Sequence, residues 1–170
     1  MIKNEVIAYL AGIADGEGYI GIKKTKAQHR PGCKSPVYQE RLVIRMADKQ
    51  AIELFKKTLG GWSYPEKQYS PKRRPCFVYE VQNKSAVAII RALLPFLRIK
   101  KRQAIMVLKL TANKATAIKV RSNTVCRSRW GTPMLDTARS KHSHRTIALR
   151  ERLYLLCKEL NRTGPNRRLK

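Results

Sequence analysis

Two carboxylates separated by single glycines are the first residues whose types and spacing could do chemistry. Asp15 and Glu17 stand in the run Asp-Gly-Glu-Gly that ends at Gly18. They follow a stretch of helical periodicity, and a carboxylate at the negative end of a helix dipole is disfavoured by about 0.3 to 1 kcal/mol. A divalent cation with oxygen ligands would offset this cost. The alternative interpretation is a simple turn into a strand, because acids and glycines are also common in turns.

The element that must position these acids is the preceding helix, which we predict to begin at Asn4 as its capping residue. It is apolar nearly all round, so we expect it to be buried on nearly all sides. Ala8, Gly12 and Gly16 recur every four residues and leave a stripe almost without side chains, along which a second backbone can pack closely. Nothing later in the chain repeats this run, so the stripe lacks a partner within the chain.

The charge of the chain indicates a polyanionic partner. Its 170 residues include 37 Lys and Arg against 11 Asp and Glu, which gives a net charge of +26. Nucleic acid is the first candidate partner and an anionic membrane a distant second. A hydrophobic fraction of 43% argues against disorder, and the length predicts a single domain over 1–170. The sequence contains no apolar run of about 18 residues, so no membrane-spanning helix is predicted. The predicted first helix begins so early that it leaves no room for a signal peptide.

Metal binding by sulfur and nucleophilic catalysis by a triad are both disfavoured. The four cysteines (33, 76, 126 and 157) are widely spaced and none forms a Cys-x-x-Cys pair, so a zinc site is not expected. The three histidines (29, 142 and 144) do not form a convincing metal cluster or catalytic arrangement with serine and aspartate.

The periodicities along the chain predict an α+β fold. Alternation predicts strands over 19–26, 37–46, 62–68 and 76–82, and helical spacing predicts helices over 48–59, 85–97, 100–113 and 146–161. The order α-β-β-α-β-β-α implies an antiparallel, saddle-like sheet with helices packed on one face, and further helices at the C-terminus. We expect a core over about 4–113 and a basic helical extension over about 114–170, of which 114–145 is not assigned.

The other face of this sheet is predicted to be polar, basic and free to bind DNA. A β-ribbon fits the DNA major groove, and Lys and Arg contact phosphates. The alternative is an ordinary solvated sheet face. The candidate DNA-binding residues on the strands and on the loop before the fourth strand are Lys23, Thr25, Gln39, Arg41, Arg45, Tyr64, Lys67, Lys72, Arg73 and Arg74.

The run Leu10–Gly18, Leu-Ala-Gly-Ile-Ala-Asp-Gly-Glu-Gly, closely resembles the signature of the LAGLIDADG homing endonucleases. The resemblance extends over the predicted element order, from about residue 4 to 113. It implies a site-specific double-strand DNA endonuclease with a long pseudo-palindromic target, encoded in an intron and located in the cytoplasm or in the organelle or nucleus that holds the intron. An RNA-binding intron maturase and a non-catalytic DNA-binding protein on the same fold are the alternatives, with a ribosomal-type basic protein outside the family.

The resemblance also implies the catalytic residues. Glu17 matches the family's metal ligand, the carbonyl of Gly16 contributes beside it, and Mg²⁺ is the implied ion with Mn²⁺ as a substitute. Lys100 matches a lysine that follows a Pro-Phe-Leu segment and would polarise water or stabilise charge on the phosphate. Asp48 stands where relatives often have a glutamine that positions water, and it also has the features of a helix N-cap.

Single-motif members of the family are homodimers, so the resemblance implies a two-fold dimer that packs through the first helix. The predicted interface residues are Ala8, Gly12, Asp15 and Gly16. In such an isologous contact the two copies of Glu17 arrive together at the centre. No membrane partner is expected, and RNA is a partner only in the maturase alternative.

Overall fold

The sheet and helices were located in a computed structural model that describes residues 4–26, 35–67, 74–116, 125–127, 133–135 and 144–163. The elements in chain order are α1 (Asn4–Glu17), β1 (Gly18–Thr25), β2 (Val37–Met46), α2 (Lys49–Leu59), β3 (Trp62–Pro65), β4 (Phe77–Gln82), α3 (Asn83–Leu93), α4 (Lys101–Thr116), β5 (Val125–Arg127), β6 (Pro133–Leu135) and α5 (His144–Thr163).

Four strands form one antiparallel sheet in the order β1-β2-β4-β3. The register places Gly18 opposite Ile44, Arg41 opposite Gln82, and Trp62 opposite Glu80. Alternation along the strands sends one set of side chains into the core, where they pack against the helices. The fully buried members of that set include Ile20, Ile22, Leu42, Ile44 and Tyr79. The predicted α+β class with an antiparallel sheet is confirmed.

The first helix is buried on one side only, which corrects the expectation that it would be buried on nearly all sides. Its buried residues are Ile7, Leu10, Ala11, Ala14 and Asp15. Gly12 and Gly16 are exposed, and a Cβ added at either would meet nothing within 4 Å. The physical reason is that the described part of the chain packs a sheet against one side of α1 and leaves the small-residue stripe uncovered at Gly12 and Gly16.

The C-terminal helix α5 packs against β1 and α4 and belongs to the same hydrophobic core. Its Leu153 and Cys157 are part of that core and its Leu160 is also buried, so the core extends beyond the predicted limit at 113. Polar contacts reinforce the attachment: Lys24 Nζ lies 2.7 Å from Glu151 Oε1, and the Tyr38 hydroxyl donates to the same carboxylate.

Several predicted boundaries change. The third helix begins at Asn83, not at Ser85, and the preceding Gln82 provides no side-chain cap. Asn83 has a φ of 55°, so the chain turns directly from strand to helix. The strand β3 ends at Pro65, and β5 pairs with β6 within the segment that was not assigned. None of the described helices is long and apolar enough to cross a lipid bilayer.

Candidate active site and nucleic-acid interface

Asp15 joins the end of α1 to the segment that precedes α4. Its Oδ2 accepts hydrogen bonds from the backbone N–H of Arg98 (2.7 Å) and Ile99 (3.2 Å), and its Oδ1 accepts one from Lys100 N–H (2.8 Å). The side chain is thereby buried at 9% exposure. Because α4 begins at Lys101, the carboxylate satisfies N–H groups at the positive end of that helix. The charge of Asp15 is therefore compensated within the chain and requires no cation.

This geometry also bears on the interface prediction for Asp15. Its carboxylate points into its own chain, so any contribution to a dimer would come from its backbone or from the shape of the helix end. Of the other predicted interface residues, Ala8 is half-buried, and Gly12 and Gly16 are exposed along one side of α1.

Lys100 caps α1 in return. Its Nζ lies 3.1 Å from Ala14 O, 2.6 Å from Asp15 O and 3.2 Å from Gly16 O, and it donates to these carbonyls at the end of the helix. Burial lowers the pKa of Lys100, an effect that the nearby negative charges of Asp15 and Glu17 oppose. The two helix ends thus exchange contacts, since Asp15 caps α4 and Lys100 caps α1.

Glu17 is the last residue of α1, and its side chain is exposed. Within the part of the chain that the structure describes, its carboxylate accepts no hydrogen bond, although its charge acts on Lys100. The structure therefore brings three of the predicted site residues, Gly16, Glu17 and Lys100, to one place. The contact between Lys100 and the carbonyl of Gly16 could not be anticipated from the sequence.

Oxygen donors at this point suit a hard divalent cation, but the described residues provide few of them. The candidates are the carboxylate of Glu17 and the carbonyl of Gly16, which accepts one hydrogen bond from Lys100 at 3.2 Å and keeps a second lone pair, whereas the carboxylate of Asp15 already accepts three hydrogen bonds. Among the described residues, no group of three or more His, Cys, Asp or Glu could hold a metal ion. The residues fit Mg²⁺ in their chemistry, because hard oxygen ligands are the ones that this ion prefers.

Asp48 forms the N-cap of α2. Its Oδ1 accepts hydrogen bonds from the N–H groups of Gln50 (2.8 Å) and Ala51 (3.2 Å). Asp48 follows the end of β2 at Met46, and β2 pairs with the beginning of β1 at Gly18, so Asp48 and Glu17 belong to the same end of the sheet. The cap accounts for an acid at this position, and a role in positioning water stays a prediction.

The predicted DNA-binding residues on the strands are polar and wholly or partly exposed. Lys23, Arg45 and Tyr64 are exposed, and Thr25, Gln39 and Arg41 are half-buried. Lys67 and Arg74 are exposed beyond the ends of β3 and β4, whereas Lys72 and Arg73 lie outside the described residues. The register places Lys23 opposite Gln39 and Arg45 opposite Val78. Several basic side chains therefore share the sheet face that lies away from the helices.

The prediction from sequence missed two residues on this face. Trp62 on the edge strand β3 is 78% exposed. Glu80, directly opposite it on β4, accepts hydrogen bonds from Arg41 Nε (2.8 Å), Gln82 Nε2 (2.6 Å) and Tyr64 OH (3.0 Å). Burial would raise the pKa of Glu80, but these donors outweigh it and lower the pKa below its ordinary value. Strand alternation could have placed both residues on this face, but only the structure reveals the contacts.

Comparison with solved structures identifies the fold. The homing endonuclease I-CvuI, in complex with an I-CreI target in the presence of Mg, aligns over 98% of this chain and 88% of that chain, with a TM-score of 0.63 and 16% identity. I-CvuI with its own target in the presence of Ca covers 66% of this chain and 69% of that chain, with a TM-score of 0.54 and 21% identity. The archaeal intron-encoded homing endonuclease I-Vdi141I complexed with DNA aligns over 64% of this chain and 68% of that chain, with a TM-score of 0.51 and 21% identity.

Comparisons with protein-family models and with curated proteins give no match. In one case the structural similarity covers 98% of the chain, and it therefore includes the sheet and helices that position Glu17 and Lys100. The chain has the fold of the LAGLIDADG homing endonucleases.

Proposed function

We propose that this chain is a site-specific, divalent-metal-dependent endonuclease of double-stranded DNA that acts as a homodimer. The observation that carries the proposal is the position of Lys100 at the end of α1, where its Nζ donates to the carbonyl of Gly16 and feels the charge of Glu17. The strand β1 of the basic sheet begins at the same place. The solved structures with this fold that are named above are homing endonucleases bound to DNA, which supports the same class of activity here.

The sheet face would bind the duplex. Its Lys23, Arg41 and Arg45 can contact phosphates or base edges in a major groove, and the net charge of +26 favours such an encounter at long range. Because the end of α1 meets the sheet at Gly18, a duplex that follows the strands would pass over Glu17.

A second copy would complete the site. The stripe of Ala8, Gly12 and Gly16 is open, and the carboxylate of Glu17 at the end of α1 accepts no hydrogen bond from the described residues. Two-fold packing along α1 would bring two copies of Glu17 together, and a two-fold protein would recognise a pseudo-palindromic target. Two carboxylates at close range repel each other unless cations lie between them.

Glu17 and the carbonyl of Gly16 would hold Mg²⁺, or Mn²⁺ in its place. The ion supplies neutralisation of phosphate charge and activation of water when it is bound. Lys100 places a positive charge beside the same carbonyl and would stabilise the charge that develops on the phosphate. Asp15 holds the backbone of Lys100 in position, and Asp48 is the candidate for positioning a water at this end of the sheet.

The test is cleavage of a pool of duplex DNA with a randomised central segment, followed by sequencing of the cut ends. Wild-type protein should cut a defined set of sequences when Mg²⁺ is present and none when it is chelated. Glu17→Gln should fold and bind the same sequences without cutting them. The matched control is Glu53→Gln, which neutralises an exposed acid on α2 and should cut as wild type does.

Cutting by Glu17→Gln at the wild-type rate would overturn the assignment of the metal ligand. Wild-type protein that binds RNA and cuts no DNA would favour the maturase alternative instead.

A further inference from the structure

Glu80 is an acid in the middle of a face that carries several cationic side chains. It lies on β4 between Val43 of β2 and Trp62 of β3, so it occupies an inner strand of the sheet. A carboxylate at this point repels DNA phosphates and weakens non-specific binding. Its side chain is only 14% exposed, because neighbouring side chains cover it. An acid at this position therefore lowers the affinity for DNA, and a benefit to recognition would have to offset that loss.

The contacts of Glu80 indicate what it contributes. One oxygen accepts from Arg41 Nε and Gln82 Nε2, and the other accepts from the hydroxyl of Tyr64. These three donors come from three different strands, so one carboxylate fixes side chains across most of the width of the sheet. The network is charge-assisted and therefore stronger than a set of neutral hydrogen bonds.

Arg41 is held in a way that leaves its recognition groups available. Its contact with Glu80 is made through Nε, and within the described residues neither Nη group makes a hydrogen bond. Its neighbours across the strands are Gly21 on β1 and Gln82 on β4, and the ring of Tyr19 lies over Gly21 beside it. Two parallel N–H donors of this kind match the O6 and N7 acceptors of guanine in the major groove.

We propose that Glu80 is a positioning residue for sequence specificity, which holds Arg41 so that its Nη groups read a guanine in the target. This inference rests on the proposed function and deepens it, since it assigns a base class to one residue of the sheet. Fixing the arginine before binding removes the cost of ordering a long side chain during recognition. The network therefore favours the correct base while the negative charge disfavours DNA in general.

The test is selection of bound sequences by the full chain from a pool of randomised duplex DNA, in the absence of Mg²⁺ so that binding alone is measured. Arg41→Lys keeps the charge and removes the fork of donors. Arg41→Lys should reduce the preference for guanine by roughly 10- to 100-fold at one position in each half of the selected duplex. The positions at which the preference falls are those that Arg41 reads.

Two substitutions of Glu80 separate its contact from its charge. Glu80→Gln keeps one acceptor oxygen, and Glu80→Ala keeps none. At the positions defined by Arg41→Lys, the preference for guanine should fall less in Glu80→Gln than in Glu80→Ala. For the alanine variant the decrease should be about two- to tenfold. Affinity for a duplex of unrelated sequence should rise to a similar degree in both, because both lose the same charge. Glu53→Gln is the charge control: it should raise non-specific affinity without changing any base preference.

Thermal unfolding of each variant establishes that it is folded at the assay temperature. Unchanged preferences in Glu80→Ala at the positions of Arg41 would overturn the inference while the proposed function stands. A change confined to positions that Arg41→Lys does not affect would mean that Glu80 contacts a base itself, which would also overturn it. Failure of wild-type protein to select any sequence would instead overturn the proposed function.

Discussion

Replacing Asp15 with asparagine tests the contacts that join α1 to α4. The carboxylate accepts three backbone hydrogen bonds, two at Oδ2 and one at Oδ1. An asparagine has one acceptor oxygen, so its best orientation keeps the bonds from Arg98 and Ile99 and turns an NH₂ group toward the N–H of Lys100. That N–H then loses its partner in a partly buried place.

The expected loss follows from these contacts. A buried donor without a partner costs about 1 to 3 kcal/mol, and the two remaining hydrogen bonds lose the strengthening that a charged acceptor provides. Together these effects predict a decrease of about 2 to 4 kcal/mol in the free energy of unfolding. Against a typical total of about 5 to 15 kcal/mol this is large, and it corresponds to roughly 5 to 15 °C in the thermal midpoint.

Urea unfolding at a fixed protein concentration measures this loss, and Asp48→Asn is the matched control. Asp48 also caps a helix with its side chain, but it is exposed, and its carboxylate accepts hydrogen bonds from Gln50 and Ala51 of its own helix. Asparagine is about as good an N-cap as aspartate, so this control should lose less than about 0.5 kcal/mol. If Asp15→Asn were as stable as Asp48→Asn, the reasoning about the buried cap would be refuted.

Two further predictions concern the face of α1 and the acid on the sheet. Gly12→Leu adds a side chain where one chain has open space. The variant should therefore remain folded but elute as a monomer in size-exclusion chromatography at micromolar concentration, where the proposed dimer predicts that wild type elutes at twice the monomer mass. Lys56→Leu on α2 is the control, and a Gly12→Leu protein that still elutes as a dimer would exclude the stripe as the interface. Because the folded pKa of Glu80 is lowered from 4.5, its contribution to stability is present above the unfolded pKa and is lost as pH falls through the folded value. The stability difference between wild type and Glu80→Gln should therefore shrink as the pH falls below 4.5, and a difference independent of pH would contradict the assignment.

The sequence predicted those parts of the molecule that depend on local periodicity. The second strand was predicted with the bounds it has in the structure, Val37–Met46, and Asp48 was recognised as a candidate cap of the next helix. Glu17 and Lys100 were identified through resemblance to a family signature, and the structure places them together. Their catalytic roles remain predictions.

What could not be predicted depends on contacts between distant residues. The partners of Asp15 are 83 to 85 positions away, so its charge looked unpaired and suggested a metal. The third helix begins without a side-chain cap, which is why Ser85 was mistaken for its start. Glu80 gave no signal of its own, because a single acid in a strand pattern reveals neither its neighbours nor their direction.

The contacts between Asp15 and the 98–100 segment have a consequence for how the protein is made. They connect residues 85 positions apart, and Asn161 on α5 also donates to the carbonyl of Ile20, 141 positions away. Contacts of such long sequence separation form late, because the loop between them must first be closed. During synthesis, Glu17 leaves the ribosome long before Lys100 exists. The pair therefore assembles only when most of the chain has been translated and folded, so a prematurely terminated fragment that ends before Lys100 carries the signature but no assembled site.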